Sequence, residues 1–381
     1  MSSTRSTSAT LAAAVSLAAL FALMPHARAQ EGEAAASTGY NKGFFIESAD
    51  GAFSLKTQAR MQFRYTFTSQ EGADPVTGDE SRDNDSLFAV QRGRLTFGGH
   101  AFSEDLDYKL QADFGRGDVV LKDFYVDYRV AGDALVRFGQ YKRPFSRQQI
   151  TSSGNQELVD RAITDGYYRA GRDVGVMVHN SYEKSPEIEW AVGLFNGTGE
   201  NVVPGRSAGA PDTFNPALVA RVGYNRGPVK GYSEADLDGG PLRFGVGASV
   251  LGELDGDGDN ASSIRTELDY IVKVEGFAST GGIYFATVQD GADFPDQTGD
   301  ALGFHVQAGY TVEKTHQVAG RYALIVPQAD DAGNRQEVAL VYSLYVFGHG
   351  FKWQTDVTLG LDEGRDPGQD VQIRSQAQLS F

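Results

Sequence analysis

The chain contains no cysteine, which excludes disulfide staples, thiolate metal sites and a cysteine nucleophile. Tryptophan (2), methionine (4) and histidine (6) are scarce, and only ten residues are lysine. Beyond residue 29, no apolar run approaches the roughly 18 residues that a membrane-spanning helix needs. Basic residues are in deficit, with 34 Lys and Arg against 50 Asp and Glu. The resulting net charge of −16 argues against nucleic acid as a partner. The mean hydropathy of −0.33 describes a polar chain. A β-barrel can still cross a membrane at that value, because half of each strand is polar.

What is abundant is glycine (46), phenylalanine (23) and tyrosine (17), in a two-residue rhythm. From Phe53 to Phe67 every second residue is apolar or small: Phe53, Leu55, Thr57, Ala59, Met61, Phe63, Tyr65, Phe67. Between them lie Ser54, Lys56, Gln58, Arg60, Gln62, Arg64 and Thr66. A strand sends alternate side chains to opposite faces, so one face is oily and the other carries three cations. The run is long enough to cross a bilayer at a tilt, which takes about 9–11 residues. Sixteen such segments follow one another, opening with 53–68, 88–102, 106–114, 119–130, 135–142 and 173–182, and ending with 351–361 and 371–381. Tight links alternate with longer, mostly acidic ones. Two links break that rule: 115–118 is short where a long one is due, and 226–241 is long where a tight one is due. The last segment alternates strictly and ends on Phe381. The pattern predicts an all-β transmembrane antiparallel β-barrel of sixteen strands, since closure alone removes strand edges. Residues 1–29 read as a secretory signal, with Arg5, an apolar core and Ala27-Arg28-Ala29 as the cleavage site. Residues 30–52 read as a periplasmic leader, of which 30–43, small and polar, is expected to be flexible. Residues 53–381 form the barrel, whose longest loop, 143–172, is expected to fold inward.

Lipid fixes the parity. An Arg or Lys facing lipid at mid-bilayer costs about 2–4 kcal/mol, so Lys56, Arg60, Arg64, Arg92, Arg94, Lys109, Arg129 and Arg137 are expected to face the lumen. Asp107, Asp113, Asp123 and Asp127 accompany them. Lys142, Arg143 and Arg147 open the long loop, and Arg221 comes from a later strand. Arg243, Arg265, Lys273, Arg321, Lys352 and Arg374 are further inward cations, diluted by Glu267, Asp269 and Asp356. The first two strands carry five cations (Lys56, Arg60, Arg64, Arg92, Arg94) and no inward carboxylate of their own. Such a cluster favours anions. Cross-lumen ion pairing is the structural alternative.

The block Val90-Gln-Arg-Gly-Arg-Leu-Thr-Phe-Gly-Gly, then Asp107-Tyr-Lys-Leu-Gln-Ala-Asp-Phe-Gly, Leu121-Lys-Asp-Phe-Tyr-Val-Asp-Tyr-Arg and Arg137-Phe-Gly-Gln-Tyr-Lys-Arg-Pro-Phe, resembles the phosphate-selective porin O/P family. The close match covers about residues 53–175. The resemblance implies a sixteen-stranded barrel of the Gram-negative outer membrane, usually a homotrimer, that conducts small anions such as phosphate. It places Arg60, Arg64, Arg92, Arg94, Arg137 and Lys142 at equivalents of the family's arginine ladder and lysine cluster. The chain departs from the family in having few lysines and acidic outer loops. The expected partners are small inorganic or organic anions, outer-membrane lipid and, through Phe381, the barrel-assembly machinery. No cofactor, metal or catalytic residue is expected. A general or cation-preferring porin is the alternative. An outer-membrane barrel enzyme is a minor one, because His100, His179, His305, His316 and His349 fall in no recognisable catalytic arrangement. Asp255-Gly-Asp-Gly-Asp-Asn resembles the start of a calcium loop, but Asn260 replaces its glycine and no flanking helices are expected.

Overall fold

The computed structural model describes residues 36–73, 80–202, 206–207, 214–254, 262–288, 300–328, 333–362 and 370–381. The signal segment 1–29 and the Asp255–Asn260 loop lie outside them. A short hairpin, β1 (Ser37–Tyr40) and β2 (Phe44–Glu47), precedes the long strands. These are β3 (Ser54–Ala73), β4 (Glu80–Ala101), β5 (Ser103–Asp113), β6 (Val120–Ala131), β7 (Ala134–Lys142), β8 (Arg172–His179), β9 (Ile188–Phe195) and β10 (Ala217–Arg226). They continue with β11 (Arg243–Glu253), β12 (Ser263–Val274), β13 (Phe277–Val288), β14 (Ala301–Val312), β15 (His316–Pro327), β16 (Arg335–Tyr345), β17 (Phe351–Asp362) and β18 (Asp370–Ser380). Each long strand pairs antiparallel with the next, and β18 returns to β3, from Ser380 opposite Arg60 to Val371 opposite Ser69. The product is a closed sixteen-stranded barrel.

Exposure along the strands is inverted relative to a soluble sheet. In β12, Ile264 and Leu268 are 51% and 57% exposed, whereas Glu267 and Asp269 are 1% and 5% exposed. Charge is inside and grease outside, as a lipid-facing wall requires. Tight turns use the conformations that hairpin twist demands. Glu275 and Gly276 both take positive φ between β12 and β13.

The structure departs from the expected pattern in four places. β3 and β4 run on to Ala73 and back to Glu80, well past 68 and 88. Polar pairs such as Thr68 opposite Asp85 and Glu71 opposite Arg82 carry the ladder there, beyond the apolar band that hydropathy marks. Gln91 is an extra residue in β4, bulged opposite the Gln62–Phe63 step, and it resets the parity of Val90 and Phe88 to outward. β8 ends at His179 rather than at Tyr182, because Ser181 takes a left-handed conformation and starts a 3-10 turn at Tyr182–Lys184. The leader is not all flexible. β2 pairs with β3 just past the point where β18 ends, Ala59 and Phe381 exchange hydrogen bonds of 2.7 and 3.0 Å, and the Phe44 ring meets the Phe381 ring at 6.5 Å.

Two links fill much of the lumen. The link after β7 contains α1 (Arg147–Ile150) and α2 (Ile163–Tyr168). It makes hydrogen bonds to Arg64 on β3, Ser249 on β11, Glu267 on β12, Tyr284 on β13, Gln307 on β14, Arg321 on β15, Ser343 on β16, Lys352 on β17 and Gln378 on β18. A segment reaching walls on all those sides runs through the barrel. Its apolar residues have places there: Leu158 packs on Ala319, Ala339 and Val341, and Tyr168 stacks on Tyr284 at 5.0 Å. From the opposite end, the link between β10 and β11 enters to meet it. The Glu234 amide donates to Asn155 O, and the Glu157 amide donates to Glu234 Oε2.

Candidate permeation pathway

With the β11–β17 side of the lumen packed, open space remains against β3–β7. A cavity of 790 Å³ lies there, running from Phe45 and Glu47 on the terminal hairpin to Arg94, Lys142 and Arg172 at its inner end. Eight cationic side chains line it: Lys56, Arg94, Lys109, Arg129, Arg137, Lys142, Arg172 and Lys184. Five carboxylates face them: Glu47, Asp107, Asp123, Asp127 and Glu183. Loop residues Ile150 and Ser152 close its inner side.

Most of these charges are engaged. Asp123 is held between Lys109 and Arg172, each at 2.7 Å. Arg137 grips Asp127 through two hydrogen bonds of 2.8 Å, adds Glu183 at 2.9 Å and lies 4.1 Å over the Tyr125 ring. Burial pushes the Glu183 carboxyl up, but the Arg137 guanidinium outweighs burial and holds it below its ordinary value. Lys142 Nζ donates to the carbonyls of Gln149, Ile150 and Thr151, at the C-terminal end of α1, where a cation is favoured.

The five cations of β3 and β4 need a correction. Three of them do have a carboxylate. Arg94 pairs with Asp113 on the adjacent β5 at 2.7 Å, and Arg64 and Arg92 share Asp160 of the luminal loop at 2.6 and 3.7 Å. The strand-by-strand count missed them because the partners arrive from a neighbouring strand and a distant loop. Lys56 and Arg60 have no ion pair among the described residues, and Arg60 donates to Ser152 Oγ at 2.9 Å and Ser380 Oγ at 3.3 Å.

The structure splits the remaining candidates. Lys56, Arg94, Lys109, Arg129, Arg137 and Lys142 meet at the cavity. Arg60, Arg64 and Arg92 lie beside it, on the same wall. Arg143, Arg147 and Arg221 are elsewhere, in buried networks: Arg143 on Glu253 at 2.7 Å, Arg147 on Asp269 at 2.6 Å, and Arg221 on Asp269 and Glu189 at 2.7 and 3.1 Å. Arg374 with Asp356 and Arg321 with Glu337, both at 2.7 Å, are likewise wall pairs. Lys273 and Lys352 hold the carbonyls of Ser233 and Gln156. Arg172, Glu183 and Asp160 were not among the sequence candidates. Arg172 opens its strand, where strand parity alone does not place it, and loop positions such as 160 and 183 carry no periodic signal.

The family described as phosphate-selective porin O and P matches residues 57–345. Similar solved structures include an anion-selective porin from Comamonas acidovorans, at 14% identity over 86% of this chain and 99% of that one, with a TM-score of 0.59. The outer membrane channel DcaP of Acinetobacter baumannii matches at 14% identity over 88% and 99% of the two chains, with a TM-score of 0.57. In-vitro folded OmpT, an outer membrane protein of Vibrio cholerae in a trimer form, matches at 11% identity over 87% and 100%, with a TM-score of 0.58. At these identities the likeness is one of fold. No curated protein matches the chain.

Proposed function

This chain belongs to the phosphate-selective porin O and P family and is an outer-membrane porin, and from that premise we propose that it passes small anions, phosphate or similar, by passive diffusion. The observation that carries the reading is the charge of the cavity: eight cations against five carboxylates in a chain whose net charge is −16. A confined aqueous space with low-dielectric walls concentrates the counter-ion of its own lining. Along β3 and β4 the solute would pass Lys56, Arg60 and Arg94, and of the cavity's five carboxylates Asp123, Asp127 and Glu183 are already ion-paired. No reacting constellation is required; diffusion past fixed charge is the mechanism. In keeping with the family we take the assembly to be a homotrimer.

Reversal potentials of the purified protein in planar bilayers under a salt gradient test this. Anion preference is expected, and cation preference would overturn it. The second reading is a general or cation-preferring porin. It is favoured by Arg64, Arg94, Lys109, Arg137 and Arg172 all being ion-paired, which removes much of their field. Under it, potassium would pass as readily as chloride or more readily.

A further inference from the structure

Asp160 stands where three strands bring their guanidiniums together. Arg64 of β3 donates to it at 2.6 and 3.1 Å, Arg374 of β18 at 3.3 Å, and Arg92 of β4 lies at 3.7 Å. The carboxylate comes from the luminal loop, while its holders are fixed on the wall. Its side chain is 30% exposed, against 5%, 7% and 14% for Arg64, Arg374 and Arg92. The anion therefore faces solvent and the cations sit behind it.

The charges do not balance. Arg374 has a second carboxylate, Asp356, at 2.7 Å. Arg64 and Arg92 have no other within 4.0 Å among the described residues. Their remaining acceptors are neutral: Gln376 Oε1 and Val159 O for Arg64, and Gln62 Oε1 for Arg92. One carboxylate thus serves two otherwise unpaired guanidiniums and part of a third. Paired N–H groups of a guanidinium match the oxygens of carboxylate and phosphate alike.

We infer that Arg64, Arg92 and Arg374 form a binding site for a small oxyanion, and that Asp160 occupies it as a tethered counterion which a diffusing carboxylate or phosphate must displace. The inference rests on the anion-conducting reading and deepens it, naming the site's ligand class and the residue that sets its occupancy. A tether of this kind holds its anion at an effective concentration in the millimolar range, so free oxyanions at lower concentration bind poorly until it is removed. The burial that would push the Asp160 carboxyl up is outweighed by Arg64, Arg374 and Arg92, so it stays ionised under ordinary conditions.

The test is Asp160→Asn in the full chain, in planar bilayers, with two added probes: inorganic phosphate and acetate. The amide keeps the shape and loses the charge. The expected result is a several-fold rise in the chloride-over-potassium permeability ratio. Phosphate should also block the chloride current at a concentration at least about tenfold lower than in the parent, in line with loss of a millimolar competitor. Block by phosphate but not acetate assigns a phosphate site, and equal block assigns a general carboxylate and phosphate site. Arg92→Gln added to Asp160→Asn should return phosphate sensitivity towards the parental value. Retained heat resistance of the barrel on gels shows that each variant is folded. If Asp160→Asn does not fold, Asp160→Ser is used with the same expectations. A folded Asp160 variant with unchanged selectivity and unchanged block overturns the inference. Cation preference in the parent overturns the anion reading instead, and the two failures are read from different proteins.

Discussion

Lys56 and Arg60 are the cations of β3 that meet no carboxylate among the described residues, so their fields reach a passing ion with the least cancellation. Reversing one of them should matter more than reversing a paired neighbour. Arg60→Glu is expected to move the permeability ratio towards cations by on the order of fivefold, the equivalent of about 1 kcal/mol for a unit charge several ångströms from the path. Arg137→Gln, which breaks a closed pair with Asp127, should also expose an uncompensated carboxylate and cost stability. The same logic is sharper at Arg221, which is 2% exposed and bonded to Glu189 and Asp269. Arg221→Met should destabilise the barrel by roughly 3–5 kcal/mol, because it leaves buried anions behind. The urea midpoint measures this, and an unchanged midpoint refutes it. At this scale the sequence was legible in one respect only. Lipid forbids outward charge, so the inward face of Lys56, Arg60 and Arg64 could be read. The partner of each charge could not, because Asp160 lies almost a hundred positions from Arg64 and no local pattern joins them.

Elements divide in the same way. β3 to β18 follow from a two-residue alternation that each strand states for itself, whereas the links carry no such rhythm. The inward alanines Ala319 and Ala339 do hint at what the links do, since small residues on a luminal wall leave room for something else, here Leu158. Where the two long links meet, one Gln307 amide nitrogen donates to Glu157 Oε2 at 3.1 Å and to Glu234 Oε2 at 2.9 Å. Two carboxylates that share one donor cannot both ionise cheaply out of water. Burial first, and Glu234 second, push the Glu157 carboxyl from 4.5 up to about 8. The folded protein then keeps a proton that the unfolded chain releases above about 4.5. This contribution is complete below that pH and is lost as pH rises through about 8. Hydrogen exchange of the amides of Glu157 and Glu234, corrected for intrinsic rates, should therefore show protection falling between about pH 4.5 and about pH 8 and levelling off above. Glu157→Gln, a neutral isostere, should make that protection flat with pH. Equal slopes in both proteins would show that the pair does not hold the links together.

For the molecule as a whole, a barrel of sixteen strands is wide enough to leave an aqueous channel through its centre. Here the channel is displaced, because the two links occupy the side of β11–β17 and leave the cavity against β3–β7. Closure was readable from the run of sixteen alternating segments. The displacement was not, because the over-long link after β10 stood out in the sequence only as an irregularity. That link makes the asymmetry testable. Asp236 bonds Arg243 and the Gly276 amide, and Ser233 O accepts from Lys273, so the segment is fastened to the wall at several points. Replacing residues 229–239 by a two-residue turn removes those fastenings and the Glu234 contact with Glu157 together. The expected outcome is a single-channel conductance higher by up to about twofold, since one of the two links that narrow a barrel of this size is then gone. Anion preference should rise at the same time, because the deletion takes Asp236 from Arg243 and the Ser233 carbonyl from Lys273, both on the newly opened wall. Raising salt to 1 M, where screening extends only about 3 Å, should remove the selectivity difference between parent and variant but not the conductance difference. A variant that lost selectivity, or left conductance where it was, would mean that this link does not narrow the path that ions take.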